Sequence, residues 1–257
     1  MTDAGFAPEW LALRERADAE ARAADLLGPL RESLPDSRLV IHDLGCGTGS
    51  MGRWLAGRLD RPQHWVLHDR DPRLLALAEA TLATEDVTVE TRRAEIAGLR
   101  ATDLAGTSLV TASALLDVLT GAEVRSLAAA CVEARCPALL TLTVVGRVEL
   151  EPPEPLDERF QAAFNQHQRR HLLGPDAVPT AVAAFEDLGA RVLTRPSPWL
   201  LGPGPLAEEW LRGWVGAACE QEPELAAAAP GYLRRRSGDL RVLVHHADLL
   251  AIPGERA

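Results

Sequence analysis

The chain contains no lysine; all 27 basic residues are arginine. That excludes mechanisms built on a Schiff-base amine or a phosphate-loop lysine. The absence reads as coding bias in a GC-rich bacterial genome. There are four cysteines, Cys46, Cys131, Cys136 and Cys219. They form neither a C-x-x-C pair nor a zinc spacing, so reduced, metal-free thiols are expected. Basic excess is missing too. The formal net charge is −10, which disfavours nucleic acid and anionic membranes as partners, since both need a basic face. No run of 18 apolar residues occurs, and residues 1–8 have no basic residue or apolar stretch, so a cytoplasmic protein is expected. What is present is ordinary: 257 residues, 47% apolar and 25% charged, enough for one core without disulfide or metal staples.

Apolar residues recur at helical spacing over residues 8–32, with Arg14, Asp18 and Arg22 on one face. Strands and helices then alternate. Short apolar runs at 39–44, 65–67, 87–91, 109–114 and 138–145 read as strands, separated by helical stretches at 49–59, 72–81 and 122–134. Near-continuous apolar strands joined by helices imply a parallel sheet covered on both faces. After the fifth strand the rhythm changes. An acidic, proline-rich linker at 151–155 leads to a helix over 156–173. A helix at 175–188, a strand at 191–194, helices at 208–218 and 223–235 and a last strand at 240–249 follow.

The strongest local signal is the run Val40-Ile41-His42-Asp43-Leu44-Gly45-Cys46-Gly47-Thr48-Gly49, where a strand gives way to a helix. Glycine there lets the backbone turn tightly and approach a ligand closely. The G-x-G-x-x-G dinucleotide pattern is not completed, because position 50 is serine. Asp43 would repel a pyrophosphate but attract an ammonium group. About 20 residues further on, Asp69 closes the run Trp65-Val66-Leu67-His68-Asp69, where an acid can accept hydrogen bonds from ribose hydroxyls.

Together the run Asp43-Leu44-Gly45-Cys46-Gly47-Thr48-Gly49 and the run Asp69-Arg70-Asp71-Pro72-Arg73-Leu74-Leu75 resemble the class I S-adenosylmethionine-dependent methyltransferases, over residues 39–145. The resemblance implies an α/β doubly wound, mostly parallel sheet of seven strands with an antiparallel last strand. It would carry an N-terminal helical lid (1–37), a cofactor-binding core (38–146), a helical insertion after strand five (147–175) and a C-terminal part (176–257). It implies that Asp43, Gly45, Cys46 and Gly47 line the methionine part of S-adenosylmethionine and that Asp69 holds the ribose. Arg70 would lie against the adenine, with Glu95 near it where the family usually has Gly-Asp. Ala112, within the stretch 111–114, would run under the sulfonium. Arg22 or Arg14 would meet the cofactor carboxylate, unless the two belong to a surface charge ladder.

Methyl transfer from a sulfonium needs alignment more than acid–base chemistry, because the leaving group is neutral. Three places are candidates for the chemistry. Asp117 follows the fourth strand, where a helix cap is the competing role. His68 precedes the ribose acid but points to the opposite side of its strand. On the inserted helix, Phe160, Phe164, His167 and His171 share one face and would roof the acceptor pocket, or else pack the helix on the core. His167 and His171 at i, i+4 also suit a metal, but position 168 is glutamine and the carboxylates Asp117 and Glu149 fit poorly, so no metal is expected. His245 and His246 alternate on a strand, and Trp199, Trp210 and Trp214 read as packing. The expected function is methylation of a small organic acceptor. The alternatives are a non-catalytic protein of the same fold and an NAD(P)-dependent oxidoreductase.

Overall fold

The computed structural model describes residues 7–254; the reading of residues 1–6 and 255–257 lies outside the described part. Eight strands form one sheet in the order β3-β2-β1-β4-β5-β8-β6. They are β1 (Leu39–Leu44), β2 (Gln63–Asp69), β3 (Val87–Arg93), β4 (Leu109–Ser113), β5 (Ala138–Glu151), β6 (Arg191–Pro196), β7 (Trp199–Leu201) and β8 (Arg241–Ile252). The first five run parallel. β8 is antiparallel to β5, β6 and the short β7 beside it. The eighth strand is β7: its three residues are too few to show a period of two, and prolines flank it.

The two faces of the sheet are buried by different helices, as side-chain alternation dictates. Leu39, Ile41, Trp65 and Leu67 face α2 (Leu27–Ser33), α3 (Ser50–Ala56) and α4 (Pro72–Leu82). Leu44, Val110, Ala112 and Leu140 face α5 (Gly121–Glu133) and α7 (Ala177–Glu186). Gly52 lets α3 and α4 approach closely, since a Cβ there would stand 2.7 Å from Leu82. Gly52→Ala would force the buried Leu82 side chain of α4 to shift.

A third core lies beyond the parallel sheet. β5 and β8 continue past it, pairing Val148–Glu151 with Val244–Arg241, and α6 (Asp157–Gln168), α8 (Pro205–Gln221) and α9 (Ala229–Arg236) pack there. Its centre is Phe160, fully buried against Tyr232 and Trp214 at ring distances of 4.5 and 5.9 Å. Buried Arg236 bonds Asp157 and the Pro152 carbonyl, tying α9 to the start of α6. No described helix is long and apolar enough to cross a membrane.

The expected single helix over 8–32 is broken. α1 ends at Ala21, and the chain resumes as α2 after an extended step at Arg22 and Ala23. The Ala23 N–H bonds the Asp248 carboxylate at 2.8 Å instead of a carbonyl one turn back. That partner lies 225 residues away, so helical periodicity could not announce it.

Candidate functional site

The site forms at the carboxyl ends of β1–β4, where the strand order reverses between β1 and β4; open α/β sheets place ligands there. β1 delivers the chain into the turn Gly45–Gly49, and α3 starts at Ser50. Gly47 and Gly49 have φ of +55° and +85°, a left-handed backbone that side chains disfavour. A Cβ on Gly47 would stand 3.2 Å from Leu11 of α1 (Pro8–Ala21), and one on Gly49 3.1 Å from Ala78 of α4. The turn is thus clamped between the N-terminal helix and α4.

Three N–H groups of this turn, those of Cys46, Gly47 and Gly49, are spoken for. Cys46 donates to the His68 carbonyl at 2.9 Å, Gly47 to Asp69 Oδ2 at 3.0 Å and Gly49 to the Cys46 carbonyl at 2.8 Å. Asp69 also accepts the Asp71 N–H on Oδ1 at 2.9 Å. Each Asp69 oxygen therefore retains one acceptor site for a ligand hydroxyl.

Asp43 is 1% exposed. Its Oδ1 accepts the Thr111 hydroxyl at 2.7 Å, and its Oδ2 has no partner among the described residues. Burial pushes its pKa from the ordinary 3.8 to about 7; the Thr111 hydroxyl and the nearby Arg22 charge oppose that shift. A buried carboxylate oxygen left without a donor is costly unless a ligand supplies one. Burial also pushes the Cys46 thiol up, so it stays protonated and serves as packing.

A cavity of about 410 Å³ opens over these groups. Its floor is the glycine turn with Asp43 and Asp69. Arg70 and Leu74, then Ala94, Glu95 and Ile96, wall one end. Ser113, Ala114 and Leu115 also line it, Leu115 beside Ile96 over Gly45, and Leu11, Arg14 and Asp18 of α1 complete the lining. Ala114 itself holds a φ of +52°, a backbone strain of the kind found at ligand sites. The volume lies in the range of small-molecule and cofactor sites.

Of the cofactor residues expected from sequence, Asp43, Gly45, Cys46, Gly47, Asp69, Arg70 and Glu95 all line this cavity. Two do not. Ala112 is 1% exposed and faces the α5 side; Ser113 and Ala114 form the wall in its place. Arg22 stands behind the wall. Its Nη2 donates to Ser50 and Ser113 at 3.3 and 3.1 Å, while Nε and Nη1 have no partner among the described residues. Burial lowers its pKa, and its guanidinium lies 5.5 Å from the Trp54 ring centre. It steadies two hydroxyls that reach the cavity rather than reaching it.

The catalytic candidates divide. Asp117 does not itself line the cavity; it lies one residue before Val118, which does. It is 6% exposed and its Oδ1 is unpartnered among the described residues. Burial raises its pKa to about 6, against a backbone hydrogen bond and the Arg14 charge. His167 and His171 are not brought to the cavity. The inserted helix packs its phenylalanines into the third core with α8, and His167 Nε2 faces outward to Glu220 Oε2 at 3.0 Å. His171 is exposed beyond the end of α6. His68 pairs with buried His42, Nε2 to Nδ1 at 3.1 Å, and both are driven down to about 4 by burial, so the pair is neutral.

Sequence reasoning placed a helical lid over 1–37 but missed how α1 is anchored beside the cavity. Arg14 is bidentate to Asp18, Nε to Oδ2 at 2.9 Å and Nη2 to Oδ1 at 3.2 Å. Trp199 of β7 donates to the same Asp18 Oδ1 at 3.0 Å. The i, i+4 charge pair was visible; its burial under β7 was not.

Residues 41–137 match the family model described as a methyltransferase domain. No curated protein matches the chain in sequence. Solved structures similar to it include the cyclopropane synthase MmaA2 from Mycobacterium tuberculosis, 13% identical with a TM-score of 0.51, over 97% of this chain and 100% of that one. The YcgJ protein from Bacillus subtilis is 14% identical with a TM-score of 0.51, over 91% of this chain and 100% of that one. A chain of the complex between the Haloferax volcanii Trm112 methyltransferase activator and a methyltransferase is 13% identical with a TM-score of 0.52, over 97% and 94%. The chain thus has the Rossmann-like fold of these structures, and residues 41–137 match the methyltransferase-domain model.

Proposed function

We propose that this protein is an S-adenosylmethionine-dependent methyltransferase acting on a small organic acceptor. The observation that carries the reading is the polarity of the glycine turn. Its N–H groups at Cys46, Gly47 and Gly49 are already bonded within the protein, so they offer no cradle to a pyrophosphate. Beside them the buried Asp43 Oδ2 lacks a donor. That arrangement fits an ammonium group and repels a phosphate. Asp69 suits ribose hydroxyls, and Leu74, Ile96 and Leu115 give apolar contact for a flat base.

The bound cofactor would supply an electrophilic methyl group on a good, neutral leaving group. The chain's own task is alignment and exclusion of water. Leu11, Arg14 and Asp18 of α1 line the cavity and narrow its access to water. Ser113 and Ala114 fix the wall toward the acceptor. Asp117 is 6% exposed and does not line the cavity, although its neighbour Val118 does, so alignment by the lining residues carries the reading and no base is assigned. The acidic cavity and the net charge of −10 support a small molecule over a nucleic acid as acceptor.

Calorimetric titration with S-adenosylmethionine, S-adenosylhomocysteine and NADH tests the reading. Binding of the first two without the third supports it. Binding of NADH, or of none by demonstrably folded protein, overturns it.

A further inference from the structure

Two serines that line the cavity are bound to the same buried cation. Ser113 ends β4, and Ser50 opens α3. Arg22 lies behind them, 4% exposed, and its Nη2 donates to Ser113 Oγ at 3.1 Å and to Ser50 Oγ at 3.3 Å. Thr141 of β5 donates to the same Ser113 oxygen at 3.1 Å. A hydroxyl has two acceptor lone pairs and one hydrogen. Both lone pairs of Ser113 are filled from the protein side, which leaves its hydrogen to be donated on the open side. Ser50 Oγ accepts from Arg22 and donates to nothing among the described residues.

The charge of Arg22 is not paired directly. Its Nε and Nη1 have no partner among the described residues. Three carboxylates lie near enough to act on it, those of Asp18, Asp248 and Asp43. Each is bonded elsewhere: Asp18 to Arg14 and Trp199, Asp248 to the Ala23 and Leu142 N–H groups, and Asp43 to Thr111. A cation bonded to a hydroxyl oxygen strengthens that hydroxyl as a donor, most of all where the dielectric is low. The wall therefore presents two polarised O–H donors, backed by positive charge, to whatever fills the cavity there.

The place of this pair relative to Asp43 narrows the ligand. Asp43 is in register with Thr111 on β4 and accepts its hydroxyl. Ser113 lies two residues further along the same strand, so its side chain shares that face about 7 Å on. An α-amino acid head carries an ammonium and a carboxylate on one carbon. With a hydrogen bond at each end it spans such a gap. Asp43 Oδ2 is the open acceptor for the ammonium, and the serines are the open donors for the carboxylate.

We infer that Ser113 and Ser50, polarised by Arg22, form the seat for the carboxylate of an α-amino acid head group, beside the ammonium seat at Asp43. This rests on the methyltransferase reading above, in which that head belongs to the cofactor. The seat makes the site selective for an intact amino acid head over ligands that keep adenine and ribose but lack the carboxylate. Ser113 and Ser50 are binding residues, and Arg22 is a positioning residue that acts through them.

Three probes titrated calorimetrically into the full chain test this. S-adenosylhomocysteine has the whole head, S-adenosyl-3-thiopropylamine lacks only the carboxylate, and 5′-methylthioadenosine lacks the head altogether. The wild type should bind the first at least about tenfold tighter than the second, the size of a lost charged hydrogen bond. In Ser113→Ala that ratio should fall below about threefold, with 5′-methylthioadenosine affinity unchanged. Arg22→Met keeps the buried volume without the charge. It should lose the ratio likewise and melt no lower than wild type, since an unpaired buried cation is removed. A wild-type ratio near one overturns the inference. So does a full ratio in folded Ser113→Ala, which would send the carboxylate to another group, or in folded Arg22→Met. Loss of 5′-methylthioadenosine affinity in Ser113→Ala, with the ratio kept, assigns the residue to shaping the cradle and also overturns it. Should Arg22→Met not fold, Ser113→Ala decides alone. Failure of S-adenosylhomocysteine to bind the wild type is a different result, which strikes the methyltransferase reading itself.

Discussion

Replacing Asp43 with asparagine should stabilise the free protein at alkaline pH and cripple cofactor binding. Asp43 is fully enclosed, and its pKa rises from 3.8 to about 7 on folding. The folded state therefore holds a proton that the unfolded state releases between those values. Stability from this group is complete below about pH 4, falls as pH rises, and is lost by about pH 7. The shift corresponds to about 4 kcal/mol of cost for keeping the ionised form buried. Asparagine keeps an acceptor for the Thr111 hydroxyl but places an amide N–H at the unpartnered Oδ2 position. An orphan donor costs about 1–3 kcal/mol. The net gain at pH 8 is then about 1–3 kcal/mol, or a melting temperature higher by roughly 5 °C for a chain of this size. At pH 4 the wild-type side chain is already neutral, and the gain should vanish. The same variant should bind S-adenosylhomocysteine about 10–100-fold more weakly, since a charged hydrogen bond is lost. Differential scanning calorimetry at the two pH values reads the first effect. A variant no more stable than wild type at pH 8, or equally stabilised at both pH values, refutes the reasoning.

In the wild type, S-adenosylhomocysteine affinity should fall about tenfold from pH 8 to pH 6, because Asp43 must give up its proton to pair with the ammonium; calorimetry across that range checks it, and a flat profile counts against the assignment. Asp69→Ala should weaken S-adenosylhomocysteine binding at least tenfold and also lower the melting temperature, because the carboxylate anchors the Gly47 and Asp71 N–H groups. His167→Ala should leave cofactor affinity and stability within about 0.5 kcal/mol of wild type, as expected for an outward surface pair.

The cofactor half of the site was legible because it is local. The glycine turn and the acid after β2 are each fixed by a strand end, and strand periodicity located both ends within a few residues. The α1 side of the cavity was not, because it is assembled from distant segments. Arg14 was read as a partner of the cofactor carboxylate or else as part of a surface charge ladder, and only the pairing of β7 with β8 places Trp199 against Asp18. The inserted helix showed the reverse problem. Its aromatic and histidine face had a helical period compatible with roofing a pocket or filling a core. The choice depended on Tyr232 and Trp214, some 50 or more residues later, which claim Phe160 for the third core. Asp248 broke the N-terminal helix for the same reason, by offering Ala23 a tertiary acceptor.

A crystal structure of the protein with S-adenosylhomocysteine tests the central claim most directly. The account predicts the amino group of the ligand within hydrogen-bond distance of Asp43 Oδ2 and its ribose hydroxyls on Asp69. A ligand placed with its carboxylate toward Asp43, or bound outside this cavity, would contradict the account.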